Sequence, residues 1–164
     1  MKKWLNGVHV PHRKNTAEAA PVLMTPSAQV VLPMSMHIGR PAVPLVKVGD
    51  TVKVGQKIAE AGGYVSAPVH ASVSGKVKAL EELNSAGQHV SCIVIESDGL
   101  MEKDESIVPP QIHSYEEFIA AVAQSGLVGL GGAGFPASVK LDIKDLSRLD
   151  TVIINGAECE PYIT

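Results

Sequence analysis

Residues 43–58 read VPLVKVGDTVKVGQKI, and residues 66–79 read SAPVHASVSGKVKA. The first is a β-branched run broken by Gly49-Asp50, a turn-forming pair, so it predicts two short strands joined at that point. Strand alternation puts Val46, Val48, Val52 and Val54 on apolar faces and Lys47 and Lys53 outward. The second segment predicts another strand pair with its turn at Ser74-Gly75. Two segments of like construction suggest two like halves of one small β domain.

The surrounding chain extends that domain. Gln29–Pro33 (QVVLP) leans to strand, and Ser35–Arg40 (SMHIGR) reads as a turn with a satisfied histidine at His37 rather than an anion site with Arg40. Leu80–Gln88 is polar and turn-rich. His89–Glu96 (HVSCIVIE) is a further strand with Cys92 in the core. The two halves resemble those of a biotinyl/lipoyl-type barrel-sandwich hybrid. Such a domain carries a prosthetic group only on a lysine at the tip between its halves, and here the tip is Glu60-Ala61-Gly62-Gly63-Tyr64. Lipoylation and biotinylation are therefore rejected, leaving a rigid β scaffold in which His70 is a packed or turn histidine.

Ser97–Pro110 (SDGLMEKDESIVPP) is acidic, ends in two prolines and reads as a linker. A domain boundary placed here gives a β-rich domain with an N-terminal extension over 1–108 and a second module over 109–164. Ser114-x-x-Glu117 is a capping box, and Phe118, Ile119 and Val122 give a helical stripe that should stop near Ser125-Gly126.

The stretch Gly126–Lys140, GLVGLGGAGFPASVK, then packs five glycines into nine residues. Glycine accepts positive φ and lets a ligand approach the backbone. A glycine run ahead of a helix start, with Pro136 suited to the first turn and Lys140 about a turn on, reads as a phosphate cradle or as a flexible connecting loop. After a short helix or loop, Val152-Ile153-Ile154 predicts a buried strand. Asn155, Glu158 and Glu160 would lie at its carboxyl end, where open α/β sheets bind ligands.

GLGGAGFPASVK followed by NGAECEP resembles the flavin and NADH motif of the NADH-binding subunit of respiratory complex I. It is still more similar to the RnfC component of the Rnf electron-transport complex and its soluble relatives, and the likeness covers nearly the whole chain. The resemblance implies an α+β protein: an all-β barrel-sandwich hybrid followed by the start of an α/β flavin/NADH-binding domain. It implies FMN and NADH as cofactors. Gly129, Gly131, Gly132 and Gly134 would approach the flavin and the nicotinamide nucleotide. Lys140, Asn155 and Glu158 would contact the flavin, and Glu160 would lie near the nicotinamide nucleotide. Leu130 stands where complex I has an arginine, and Ala157 where it has an aspartate.

The mechanism implied is hydride transfer from NADH to flavin, then single electrons to iron–sulfur clusters, with no general acid or base in this chain. RnfC proteins continue into the rest of that domain, a ubiquitin-like piece and cysteine motifs for 4Fe-4S clusters. The chain thus resembles an N-terminal fragment, inactive alone, in which residues 115–164 are poorly ordered or take their order from another chain. Partners would be other subunits of an electron-transport complex, which couples to ion translocation through its membrane components. A soluble homologue serving a dedicated reductase and a non-catalytic β docking domain are the alternatives. The fragment could also self-associate.

Composition narrows the rest. The chain has 164 residues, a net charge of −3 and 4% aromatic residues, so no broad basic face marks a nucleic-acid binder. No apolar run approaches a bilayer span and no signal peptide opens the chain, so the expected place is the cytoplasm or the inner face of the cell membrane, reached through partners. Cys92 and Cys159 lie far apart with no CxxC pair, which fits a reducing compartment and gives no cluster or zinc site; His9 and His12 read as an incidental pair.

Overall fold

The longest strands set the architecture, and they pair with each other. The computed structural model describes residue 11 and residues 15–85 and 87–154. Strands β6 (Gly75–Ser85) and β7 (Gln88–Ser97) form an antiparallel hairpin in register from Gly75↔Ser97 to Ser85↔Gln88, with a bulge between Val77 and Ala79. β1 (Gln29–Pro33) adds along β7, and β3 (Thr51–Val52) along the start of β6, giving the antiparallel order β1-β7-β6-β3. A second antiparallel sheet has the order β2-β4-β5, from Val43–Pro44, Lys57–Glu60 and Val69–His70.

The core lies between the sheets. Val52, Ile58, Ala59, Ile93 and Ile95 are fully buried, packed with Met34, Val69, Ala71, Val73 and Val77. Alternation along β6 holds Val77 in and Lys76 and Lys78 out. β7 runs between two neighbours and buries both faces in its middle, with Cys92 and Val94 opposite Ile93 and Ile95. Gly75 is fixed by packing: a Cβ there would sit 2.0 Å from the Glu96 carbonyl oxygen, and its φ is +150°.

Three strand expectations change. The segments around Gly49-Asp50 and Ser74-Gly75 do not close hairpins on themselves. β2 pairs with β4 and β3 with β6, so each segment exchanges strands between the two sheets. Local turn chemistry is the same in both arrangements, and only long-range pairing decides. Val52 is buried as expected and Val46 and Val54 half-buried, but Val48 is 60% exposed because it lies in the crossing between sheets. The polar stretch from Leu80 belongs to β6, whose outer half projects as a two-stranded ribbon and so has no apolar signature.

The acidic segment after β7 is stitched to the barrel. Val54 and Lys103 form a parallel bridge, with Val54 N donating to Glu102 O (2.8 Å) and Asp104 N to Val54 O (3.0 Å). Buried Ser74 ties it further: its Oγ donates to Asp98 Oδ1 (2.6 Å) and accepts from Glu102 N (2.9 Å).

Helix α1 (Tyr115–Gln124) starts as its sequence dictates. Ser114 Oγ accepts from Glu117 N (3.1 Å), and the Glu117 carboxylate accepts from His113 N (2.6 Å). Ser125 caps the end and Gly126 follows at φ +71°. Its inward face is Ile119, Val122 and Ala123, while Phe118 is 37% exposed. Helix α2 (Ala137–Leu141) packs against α1, and Tyr115 Oη links to Leu141 O and accepts from Ile143 N. Residues 25–144 form one compact unit, so residues 115–144 pack with the β domain, contrary to the expectation that they need another chain.

The other unit contributes residues 145–154 and the described residues before 25. It holds a 3-10 turn (Leu146–Arg148) capped by Asp145, whose carboxylate accepts from Ser147 N (3.1 Å). The strand expected at Val152–Ile154 does not form: the three residues are 73–89% exposed and carry no regular structure. A β-branched run becomes a strand only against a paired neighbour, and none lies beside it among the described residues.

Candidate functional site

The glycine-rich segment folds as a small closed loop. Val128 and Pro136 form an antiparallel bridge at its base, flanked by Gly129 N donating to Phe135 O (3.0 Å) and Ala137 N donating to Leu127 O (2.9 Å). Pro136 is fully buried. Beyond this base the tip, Leu130–Ala133, is exposed, and Leu130 is 97% so. The backbone N–H groups of Leu130, Gly131, Gly132 and Ala133 donate to no backbone carbonyl among the described residues.

The glycines separate into two kinds. At Gly131 and Gly132 an added Cβ would meet nothing within 4 Å, and at Gly129 only ordinary contacts with Phe135. Their lack of side chains has no packing cause and leaves a bare peptide surface. At Gly134 (φ +65°) a Cβ would lie 2.7 Å from Met36 O and 2.9 Å from His37 Cα, and at Gly126 (φ +71°) 2.6 Å from Pro68 O. Those two are glycines because the barrel is against them.

The barrel end that receives the loop is built from the β1–β2 and β4–β5 connections. Ile38 N donates to Ala133 O (2.9 Å). His37 is buried, with Nδ1 3.1 Å from Ile38 O and Nε2 3.2 Å from both Ala67 N and Ala67 O. A ring protonated on Nδ1 donates to Ile38 O and accepts from Ala67 N–H, satisfying both nitrogens. Arg40 N donates to Val65 O (3.0 Å), closing the two connections together. His37 is thus the satisfied histidine expected, and Arg40 reaches only Gly62 O at 3.4 Å.

Polar clasps hold the helices to the same domain. Lys57 Nζ donates to Gln124 Oε1 (2.7 Å) and to Glu60 Oε2 (2.7 Å), and the salt bridge lowers the Glu60 carboxyl from its ordinary range. Tyr64 Oη donates to Asp142 Oδ2 (3.0 Å). Lys144 chiefly, with Tyr64, holds Asp142 low. A cleft of about 250 Å³ lies between the Glu60–Tyr64 tip and the helices, lined by Ile119, Ala123 and Val139. His70 sits beside the loop entrance, its Nδ1 3.2 Å from the position of a Cβ on Gly126. Burial, and then the Lys57 ammonium, push its imidazole below the ordinary range, with Glu60 opposing.

Of the residues singled out from sequence, Gly129, Gly131, Gly132 and Gly134 share this loop, and Lys140 is exposed on α2, which the loop enters. Asn155, Glu158, Glu160, Cys159, His9 and His12 lie outside the described residues. The helix-dipole part of the cradle is corrected. α2 has five residues and begins three positions after Gly134, so aligned peptide dipoles contribute little. What remains is a run of four N–H groups with no backbone acceptor among the described residues, donors of the kind an anion takes. The donor set fits a phosphate, and the bare peptides at Gly131 and Gly132 let a flat ring lie against the backbone. Among the described residues no group of three or more His, Cys, Asp or Glu is placed to hold a metal. Sequence reading missed the seat on the barrel. Its only local trace is Gly39 and Gly134, both at positive φ, too common a signal to point from one to the other.

A two-sheet β domain without an attachment lysine, carrying a glycine loop docked at one end, is the architecture of a barrel-sandwich hybrid joined to a flavin module. The family model for the RnfC barrel sandwich hybrid domain matches residues 2–100, and that for the Nuo51 FMN-binding domain matches residues 122–164. The chain belongs to the RnfC family. It is 48% identical over 165 residues to the C subunit of the Na(+)-translocating ferredoxin:NAD(+) oxidoreductase complex of Acetobacterium woodii, covering 96% of this chain and 37% of the relative. It is 39% identical to the proton-translocating counterpart of Clostridium ljungdahlii, covering 100% of this chain and 37% of the relative. The C subunit of the ion-translocating oxidoreductase complex of Rhodobacter capsulatus is 42% identical, covering 96% of this chain and 32% of the relative. The chain spans about a third of the length of these curated relatives.

Proposed function

We propose that this chain is the part of an RnfC-type protein that presents the barrel and the opening of the flavin site, and that the whole protein passes electrons from NADH through FMN to iron–sulfur clusters. The observation that carries the reading is the loop Leu127–Ala137, closed at its base by backbone bonds, with tip N–H groups that donate to no backbone carbonyl among the described residues. The family matches and the names of the relatives support it.

Flavin, when bound, supplies a centre that takes two electrons as a hydride and releases them one at a time. The chain's own part is binding and orientation. The N–H groups of Leu130–Ala133 would donate to the phosphate. Gly129, Gly131 and Gly132 would leave room for the ring system or the nucleotide, Gly134 would fix the loop, and Lys140 would add a cation. Asn155 and Glu158 would contact the flavin, and Glu160 the nicotinamide nucleotide. Residues 109–164 then open the flavin module and 1–108 carry it. The partners are other subunits of an ion-translocating complex, with 4Fe-4S clusters and any membrane attachment supplied beyond these residues. No helix among the described residues is long and apolar enough to cross a membrane.

The test is flavin uptake by the full-length protein. The purified protein should bind FMN and reduce a one-electron dye with NADH. A full-length protein that binds no FMN and reduces no dye refutes the reading.

A further inference from the structure

His37 is a buried polar side chain outside the apolar core cluster. Its ring joins two connections thirty residues apart through Ile38 and Ala67. Both ends of the glycine loop rest on those same connections. The entrance, Gly126, is against Pro68, next to Ala67. The exit, Ala133-Gly134, is bonded to Ile38 N and pressed on Met36 and His37. The loop's own hydrogen bonds close its base but place it nowhere; the seat does that.

We propose that His37 is a positioning residue for the glycine loop: by tying Ile38 to Ala67 it holds the two barrel connections in the one arrangement that seats Gly126 and Gly134. The barrel is then a working part of the ligand site. The effect on flavin rests on the reading given under Proposed function, while the effect on the loop does not.

The experiment compares full-length wild-type protein with His37→Leu and His37→Gln. It reads amide hydrogen exchange and, separately, FMN affinity by titration. Leucine fills the space without bonds; glutamine can still accept from Ala67 N–H. In His37→Leu the amides of Ile38, Gly129 and Ala137 should exchange faster by about tenfold, the effect of losing the one neutral hydrogen bond that crosses between the connections, and FMN affinity should fall by a similar factor. Amides of β7 should be unchanged, and His37→Gln should recover most of both losses. Loop exchange and FMN affinity at wild-type levels in His37→Leu would overturn the proposal, and so would equal acceleration across β7. If His37→Leu does not fold, His37→Asn, too short to reach the Ala67 N–H, takes its place: it should speed exchange at Ile38 and spare β7, and an unchanged Ile38 amide there overturns the proposal. Wild-type protein that takes up no FMN defeats the flavin reading alone, because the exchange pattern still decides on the seat.

Discussion

Gly131 and Gly134 stand three residues apart in the same loop, yet alanine should do opposite things at each. At Gly131 the new methyl meets open space and no positive φ is strained. Gly131→Ala should leave folding stability within about 0.5 kcal/mol of wild type while weakening FMN binding in the full-length protein. Gly134→Ala drives a Cβ into Met36 O, so the loop's local stability falls before any ligand is considered. Melting and flavin titration on both variants separate a ligand glycine from a packing glycine. His70 gives a pH signature. Its folded pKa is lowered, chiefly by burial, so the folded state resists protonation. The stability it contributes is full above the unfolded value near 6.5 and is lost as pH falls through the lower folded value. Thermal midpoints should therefore drop as pH falls below about 6.5, and His70→Gln should flatten part of that slope.

Elements read differently from single residues, because some are specified locally and others by what they pair with. Helix α1 is of the first kind. Its cap, its stripe and its glycine stop were legible, and Ser114→Ala should cost about 1 kcal/mol in urea unfolding by leaving Glu117 N without its acceptor. Strands β1 and β7 were equally clear, since each is a β-branched run that finds a paired neighbour. Ile93→Ala, at a fully buried site in β7, should cost about 2–5 kcal/mol in the same measurement. Strands β2 to β5 were found as β-forming but joined wrongly, because a two-residue strand such as Thr51–Val52 carries no information about its partner. Val152–Ile154 shows the reverse error: a strong local preference with no neighbour to realise it.

At the scale of the molecule, the absence of a tip lysine removed the carrier reading, and the paired motifs pointed to the family. The glycine loop was visible as a unit. Its attachment was not, because the seat is assembled from residues 36–40 and 65–68, which no sequence period connects to 126–134. The segment after β7 reads as a linker, and its contacts with the barrel are equally long-range. Asp98, Glu102 and Asp104 look like a solvated acidic tether, yet Ser74 and Val54 hold them by hydrogen bonds. Ser74 is the main reason the Asp98 carboxyl is held low.

That stitching bears on how the protein can be taken apart. A barrel cut at residue 100, where its family model stops, would shed Glu102 and Asp104. The edge at Val54 would then keep a donor and an acceptor with nothing to bond but water. Such a piece should express poorly or self-associate along that open edge, whereas one carried through Ser106 keeps its own cover. The shortest self-sufficient barrel is therefore longer than sequence similarity suggests, and the recombinant boundary belongs on the far side of the acidic run.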